Sequence, residues 1–509
     1  MELRKQHIVL ILVGALILGF LGAYIGVQMG DNKQESSEHV EKQEDNEQEG
    51  SKQVEQQEDN ESSFPDVFDK NVNSDLIPAD QMQKFEMAFE IIDENYLEKV
   101  DADVLIEGAI EGMLEKLDDP FSSYMDIEMM SQFNEQIEAS FEGIGAEVTL
   151  EDDIVTIVSP IKGSPAEENG LRPQDQILKI DDESIEGFGL QEAVDLIRGE
   201  KGTDVVLQIQ RPGTSEPFDV TITRDTIPLE TVEATMEEYN GHKTGVVKVT
   251  SFAETTADDF ITEVEKLEDQ GMEGLVIDVR GNPGGLLDQV EKMLQQFVPS
   301  DMPYLQIEDQ QGNKDPFYSD LKEKKPYPIT VIIDEGSASA SEILAVALQE
   351  VGYEIVGLPS FGKGTVQQVA DLNDGTNIKL TMFKWLSPEG NWINDVGVEP
   401  SVEVELPAYY YTSPIQAEEP LTPGEKGEKV TNAQEMLRGL GYTIKDNDGE
   451  YGKDTEKAVQ EFQKENDLKE TGEINEDTAG VIQSKIIEQI REEKDDNQLE
   501  KAKETLYSK

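Results

Sequence analysis

The sequence predicts a multidomain α/β protein: a helical region, then a β-rich region, then a main body in which strands and helices alternate. Three observations carry this. Between residues 229 and 406 strand-like and helix-like runs alternate. Leu275-Val276-Ile277-Asp278-Val279 and the run 329–333 are apolar almost throughout, as strands covered on both faces of a sheet are. Ahead of this body Met82, Phe85, Phe89, Ile92 and Tyr96, then Leu105, Ile106, Ile110, Met113 and Leu117, recur at helical spacing until Asp119-Pro120-Phe121-Ser122-Ser123-Tyr124-Met125 breaks the pattern. Residues 139–227 instead carry short alternating strands with two helices among them. The 509 residues leave room for about three domains at ~150 residues each.

Composition narrows the chemistry. Lys+Arg 42 against Asp+Glu 109 gives 42 − 109 = −67, which disfavours nucleic acid and anionic lipid as partners. The acids are spread along the chain and read as a solvated surface. With no cysteine, a thiol nucleophile and cysteine-based zinc sites are excluded, and the composition fits an exported bacterial protein that does not depend on disulfides.

Arg4 and Lys5 lie in a short segment, 1–7, expected to stay in the cytoplasm. The uncharged apolar run that follows has the ~20 residues a membrane-spanning helix needs. It reads as an uncleaved signal-anchor over 8–28 with the rest of the chain exported. A cleaved signal peptide is the alternative, but no A-x-A site ends the run. Residues 29–70 are almost devoid of apolar side chains up to Ser63 and read as a disordered acidic tether.

The stretch 332–368 holds the strongest chemical signal. A strand-like run gives way to Gly336-Ser337-Ala338-Ser339-Ala340-Ser341, then to a buried helix beginning at Glu342. A serine at such a turn faces a cleft while helix N-terminal amides point at developing negative charge. A second strand ends in Ser360-Phe361-Gly362-Lys363-Gly364-Thr365, where glycines leave one lysine uncrowded. Ser339-Ala340-Ser341-Glu342 also fits a plain capping box. Gly357 to Lys363 matches GxxxxGK, but Gly364 replaces the magnesium-binding Ser/Thr and a strand follows where a phosphate-binding loop needs a helix. Of His7, His39 and His242, only His242 is placed to serve a Ser-His-Asp triad, and a histidine in a polar turn is more often solvated. A serine nucleophile here therefore points to a lysine base. That amine must be desolvated to be neutral, far below its usual pKa of about 10.4.

SASASEI followed by FGKGTVQ resembles the paired signature of the carboxyl-terminal processing proteases, also called tail-specific proteases. The resemblance implies a crotonase/ClpP-like α+β core over 228–411, with the helical segment 71–138 as part of its body. It implies that Ser339 is the nucleophile, Lys363 the general base and Gln367 the residue that orients the lysine. Ser337 and Ser341 remain alternatives to Ser339. The Arg280-Gly281-Asn282-Pro283-Gly284-Gly285 turn would supply an oxyanion-hole amide from Gly284 or Gly285, joined by that of Ala340. The same glycines also suit helix–sheet packing. In the family a helical region like 71–138 can mediate homodimerisation; read from its residues alone it is a packing layer that needs no partner.

Residues 139–227 resemble an inserted PDZ domain, β-rich with two helices, and such domains capture a peptide C-terminus by strand addition. Resemblance places the carboxylate-binding loop at Gly143, Ile144, Gly145 and Ala146. Arg198 is the exposed cation expected either to take part in recognition or gating, or only to cap its helix. After a linker at 412–420, residues 421–489 resemble a small helical peptidoglycan-binding domain: Gln434-x-x-Leu437, Leu440-Gly441-Tyr442, Tyr451-Gly452 and Phe462-Gln463 are its marks. Asp446-Asn447-Asp448-Gly449 suggests a calcium loop but has Tyr451 at the glycine position and Lys457 at the glutamate position. The tail, 490–509, is charged and helix-prone, with no evident chemistry.

The expectation is a membrane-anchored serine endopeptidase on the cell-wall side of a bacterial membrane. It would use no metal and no cofactor, and its partners would be protein substrates, through their C-termini, and peptidoglycan. The rival is an inactive PDZ and wall-binding scaffold. A cell-wall amidase or glycosidase lacks the histidine-metal cluster or carboxylate pair it would need.

Overall fold

The computed structural model describes residues 76–151, 154–417 and 419–508. The signal-anchor at 8–28 and the tether at 29–70 lie outside these residues. Among the described ones no helix is long and apolar enough to cross a membrane.

The main body is built on a six-stranded sheet in the order Val232–Tyr239, His242–Val249, Gly274–Asp278, Ile329–Ile333, Glu354–Gly357, Val402–Glu403. The first pair is an antiparallel hairpin turned by Asn240-Gly241, both at positive φ, as a two-residue hairpin turn requires. The other pairings are parallel, so the turns that leave the C-terminal ends of neighbouring strands emerge at one edge. That edge is where α/β sheets place their sites.

Both faces of this sheet are covered, which is why the two central strands carry no polar alternation. The helices Thr256–Asp269, Leu287–Leu294 and Ala340–Val351 bury one face through Phe260, Val290, Leu294, Leu344 and Leu348. The other face, Val246, Val276, Ile332 and Val356, is buried by Leu499, Ala502 and Leu506 of the helix Asn497–Leu506. The tail read as chemically silent is thus the second covering layer of the core. Three apolar residues spaced at 499, 502 and 506 make one helical stripe, and a stripe suffices even among charges.

A second, antiparallel sheet joins Thr365–Asp371, Asn377–Leu386, Leu305–Glu308 and Lys314–Phe317 with Ser123–Met125 from the N-terminal region. The PDZ unit is a six-stranded sheet with helices Pro165–Glu168 and Leu190–Ile197. Its entry and exit strands, Ser140–Gly143 and Asp225–Pro228, pair antiparallel, so the chain crosses into and out of the insertion along one two-stranded ribbon.

The wall-binding unit packs Glu428–Gly439, Lys453–Glu465 and Glu476–Arg491 around Phe462, Leu437 and Ile482. Ile415 and Ala417, from the stretch expected as a linker, are buried in that same core. The Asp446 carboxylate accepts from Thr455 N–H at 2.7 Å and Thr455 Oγ1 at 2.9 Å, holding the start of the next helix. The helices Ala79–Asn95 and Ala102–Glu115 leave Phe85, Ile92 and Met113 exposed, as is Tyr96 at the end of the first.

Replacing Leu499 by Ala is expected to cost about 2–5 kcal/mol, the usual range for a buried leucine. Urea unfolding of the wild type and variant checks this; a solvated tail would show a change within about 0.5 kcal/mol.

Candidate active site

Three turns meet at the C-terminal edge of the parallel strands: 279–286 after Gly274–Asp278, 334–339 after Ile329–Ile333, and 358–364 after Glu354–Gly357. The first two are tied by Asp334, whose Oδ1 accepts from Gly281 N–H at 2.8 Å and Gly336 N–H at 3.0 Å. Of the three serines, Ser337 donates to Val279 O at 2.8 Å and Ser341 to Asn282 O at 2.9 Å, both fully buried. Ser339 alone of the three keeps some exposure. Its backbone, φ 54° and ψ −112°, lies outside the regions comfortable for a residue with a β-carbon, a strain of about 1–3 kcal/mol. Such a turn thrusts a side chain out at the start of the helix Ala340–Val351.

Glu342 locks the turn. Fully buried, its Oε2 accepts from the N–H of Ser339 at 2.8 Å and from that of Lys363, also at 2.8 Å. Its Oε1 accepts from Gly362 N–H at 2.7 Å and Ser360 Oγ at 2.5 Å. One carboxylate oxygen thus sits between the backbones of the two residues read as nucleophile and base. Burial pushes the Glu342 pKa above the usual range, and the four hydrogen bonds work against that rise. The capping box seen in the sequence is only part of this role. The further signal is an acid followed directly by the apolar run 343–348, all of it buried.

Lys363 is held with its ammonium 4.9 Å from the centroid of the Phe121 ring, and its carbonyl accepts from Trp385 Nε1 at 2.8 Å. Burial and then the nearby Lys379 ammonium push its pKa down to about 8, while Glu342 and Asp119 pull the other way. Gln367 donates from Nε2 to Thr365 Oγ1 at 2.9 Å and to Thr381 Oγ1 at 3.0 Å. The break in the N-terminal helical pattern falls here too: Ser122 Oγ donates to Asp119 at 2.6 Å and accepts from Thr381 N–H at 3.0 Å. Desolvation raises the Asp119 pKa, but bonds from Ser122, Thr381 and Phe121 outweigh it and leave the carboxyl below its ordinary value. Sequence spacing gave no sign of this, because the contact spans more than two hundred residues.

The glycine turn touches the serine turn. A β-carbon on Gly284 would lie 2.8 Å from Ser339 Cβ and 3.0 Å from Ala340 N, and one on Gly285 would lie 2.2 Å from Phe252 O, so neither site admits a side chain. Gly284 N–H donates to Asn282 Oδ1 at 2.8 Å, whereas the N–H groups of Gly285 and Ala340 have no such acceptor among the described residues.

Gly143, Ile144, Gly145, Ala146 and Arg198 converge in the PDZ unit on one groove of about 100 Å³, lined also by Val148, Val194 and Ile197. The cap of the Leu190–Ile197 helix is filled by another residue: Arg224 donates to Ile197 O at 2.9 Å and Leu196 O at 3.0 Å. Arg198 reaches out of the domain, to Glu135 of the body at 3.1 Å, over the Phe141 ring at 5.0 Å. His242 lies at the opposite, N-terminal end of the core strands, stacked on Tyr507 at 4.4 Å.

The sequence pattern of Peptidase family S41 matches residues 243–404. Those of the activating protease CtpB N-terminal domain, a PDZ domain and a peptidoglycan binding domain match 16–129, 156–211 and 426–482. The chain is 49% identical over 427 residues to the carboxy-terminal processing protease CtpB of Bacillus subtilis (strain 168), covering 84% of this chain and 89% of that one. It is 42% identical, over 84% and 90%, to CtpA of the same organism. Among solved structures, a photosystem II D1 C-terminal processing protease has a TM-score of 0.40 at 28% identity, covering 65% of this chain and 94% of that one.

Glu342→Ala leaves the Ser339, Gly362 and Lys363 N–H groups without their acceptor, at about 1–3 kcal/mol each. Thermal unfolding is expected to fall by several degrees and peptidase turnover to vanish. An active, equally stable variant would show that the carboxylate does not hold the two backbones.

Proposed function

The chain belongs to peptidase family S41, and on that premise we propose a membrane-anchored, extracytoplasmic serine endopeptidase that cleaves protein substrates near their C-termini. The observation that carries this reading is the shared Glu342 oxygen between Ser339 and a lysine whose ammonium form is disfavoured by burial.

Ser339 Oγ attacks the scissile carbonyl while neutral Lys363 takes its proton; the ammonium then protonates the leaving amine, and an acyl-enzyme remains. Lys363 next takes a proton from water, which attacks the ester, and returns it to Ser339. With a pKa of about 8, roughly one lysine in ten is neutral at pH 7, against about one in 2,500 at the ordinary value. Both Nε2 hydrogens of Gln367 are used by Thr365 and Thr381, so its amide oxygen is left to orient the lysine. The oxyanion is met by Ala340 N–H together with Gly285 N–H, Gly284 N–H being held by Asn282. Each such donor is typically worth about 2.7–4 kcal/mol in the transition state.

The substrate tail adds to the strand Ala146–Glu151, its carboxylate on the amides of Gly143 to Ala146 and an apolar side chain against Val148, Val194 and Ile197. Arg198, linking that groove to Glu135 of the body, serves gating. Residues 8–28 anchor the chain, and the wall-binding unit holds the peptidase at peptidoglycan. The exposed apolar faces of Ala79–Asn95 and Ala102–Glu115 support homodimerisation, as large exposed apolar patches do.

The test uses the chain from Ser63 and an unfolded protein with an apolar C-terminal tail. Wild type is expected to cleave it, chelator or not, while Ser339→Ala and Lys363→Ala do not; cleavage by Ser339→Ala would overturn the nucleophile. The kcat/KM is expected to rise about tenfold per pH unit below pH 8 and to level above it, since the working form is the deprotonated amine. Lys379→Met removes a like charge, raises the Lys363 pKa and moves that inflection upward. A rate still climbing at pH 10 in wild type would contradict the desolvated base.

A further inference from the structure

Arg280, the first residue of the glycine turn, is held by more than its neighbours. Its Nε donates to Asp278 Oδ1 at 2.9 Å and its Nη2 to Asp278 Oδ2 at 2.5 Å, and its backbone N–H donates to Asp278 Oδ1 at 3.0 Å. Two further bonds go to the start of the helix Asn497–Leu506: Nη2 to Asp496 Oδ2 at 2.7 Å and Nη1 to Gln498 Oε1 at 3.1 Å. The arginine side chain is 13% exposed and the Asp278 and Asp496 side chains 4% and 6%, so this is a desolvated triad.

The two tail residues are themselves fixed. Asp496 Oδ1 accepts from Leu499 N–H at 2.9 Å, capping the helix, and Gln498 Nε2 donates to Val404 O at 2.7 Å. From Arg280 the chain runs directly through Gly281, tied to Asp334, to Asn282, which holds Gly284 N–H, and on to the glycines packed on Ser339 and Ala340. An arginine whose only task was to neutralise Asp278 would not need a second carboxylate delivered from 216 positions away.

We propose that Asp496 and Gln498 are positioning residues for the peptidase: by clamping Arg280 they fix the glycine turn against the Ser339 turn. The inference rests on the oxyanion role proposed for that turn. It makes the segment that follows the wall-binding unit a working part of the peptidase, although the peptidase family match ends at residue 404. The clamp is one charge-assisted bond from Arg280 to Asp496 and one neutral bond to Gln498, made by a guanidinium that Asp278 already holds at two points, so its geometry is more exacting than a packing contact. A displacement of about 1 Å in a catalytic group can cost on the order of 100-fold in rate.

The experiment compares kcat and KM on a peptide substrate for the full chain, normalised to folded protein by circular dichroism and assayed well below the melting temperature. Asp496→Asn and Arg280→Lys are each expected to lower kcat at least tenfold with KM within about twofold. Asp496→Glu recovers part of the loss, and Lys501→Ala, on the same helix, leaves kcat unchanged. The double variant Arg280→Lys/Asp496→Asn is expected to be no slower than the slower single variant, as for residues acting through one contact. Gln498→Ala, which removes one neutral contact, lowers kcat about threefold and keeps the test open should Asp496→Asn fail to fold.

A kcat within twofold of wild type in folded Asp496→Asn, or a loss accounted for wholly by unfolded chain, would overturn the clamp. Activity that survives in Ser339→Ala would instead overturn the serine-peptidase reading, and with it the oxyanion role on which the clamp rests.

Discussion

The buried carboxylate of Glu342 is the constraint on which the site depends. A charge in an apolar helix is tolerated only when its lone pairs are filled, and here four donors fill them. The donors come from two turns that follow different strands, so satisfying one carboxylate forces the Ser339 turn and the Lys363 turn together. The strained Ser339 backbone is stable for the same reason: its N–H has a charge-assisted acceptor that a relaxed conformation would forfeit. Breaking this interaction is dear in both stability and geometry.

Around that point the body is assembled from segments far apart in the chain. Residues 119–125 bring Phe121 over the lysine and a strand to the second sheet, residues 229–404 supply the core, and residues 496–507 cover its second face. The PDZ unit enters and leaves through a single paired ribbon. The wall-binding unit is likewise followed by the helix that completes the core, so both accessory domains lie within the chain span of the peptidase body.

Much of this was legible in the sequence where the signal is local. The wholly apolar run 275–279 announced a strand buried on both faces, and Ile277 and its neighbours are fully buried between two helical layers. The glycines at 284 and 285 announced a close backbone approach, which Ser339 and Phe252 supply. Glu342 was visible as half of a capping box and as an acid leading into an apolar run, but neither says which distant amides it will meet. The roles of Phe121 and Asp496 gave no local signal, because Lys363 and Arg280 lie hundreds of residues away, and the stripe Leu499, Ala502 and Leu506 is short enough to be masked by the surrounding charges. Local chemistry is thus written in spacing, and the convergence of segments is decided by packing.

In the proposed mechanism Ser339 Oγ carries the acyl group and Lys363 enables its transfer. Rapid acid quench of wild type with a peptide ester, followed by mass spectrometry of the segment that holds Ser337, Ser339 and Ser341, tests this most directly. The account predicts an acyl adduct that fragmentation places on Ser339 and that is absent from Lys363→Ala. An adduct on Ser337 or Ser341, or one formed as readily in Lys363→Ala, would contradict it.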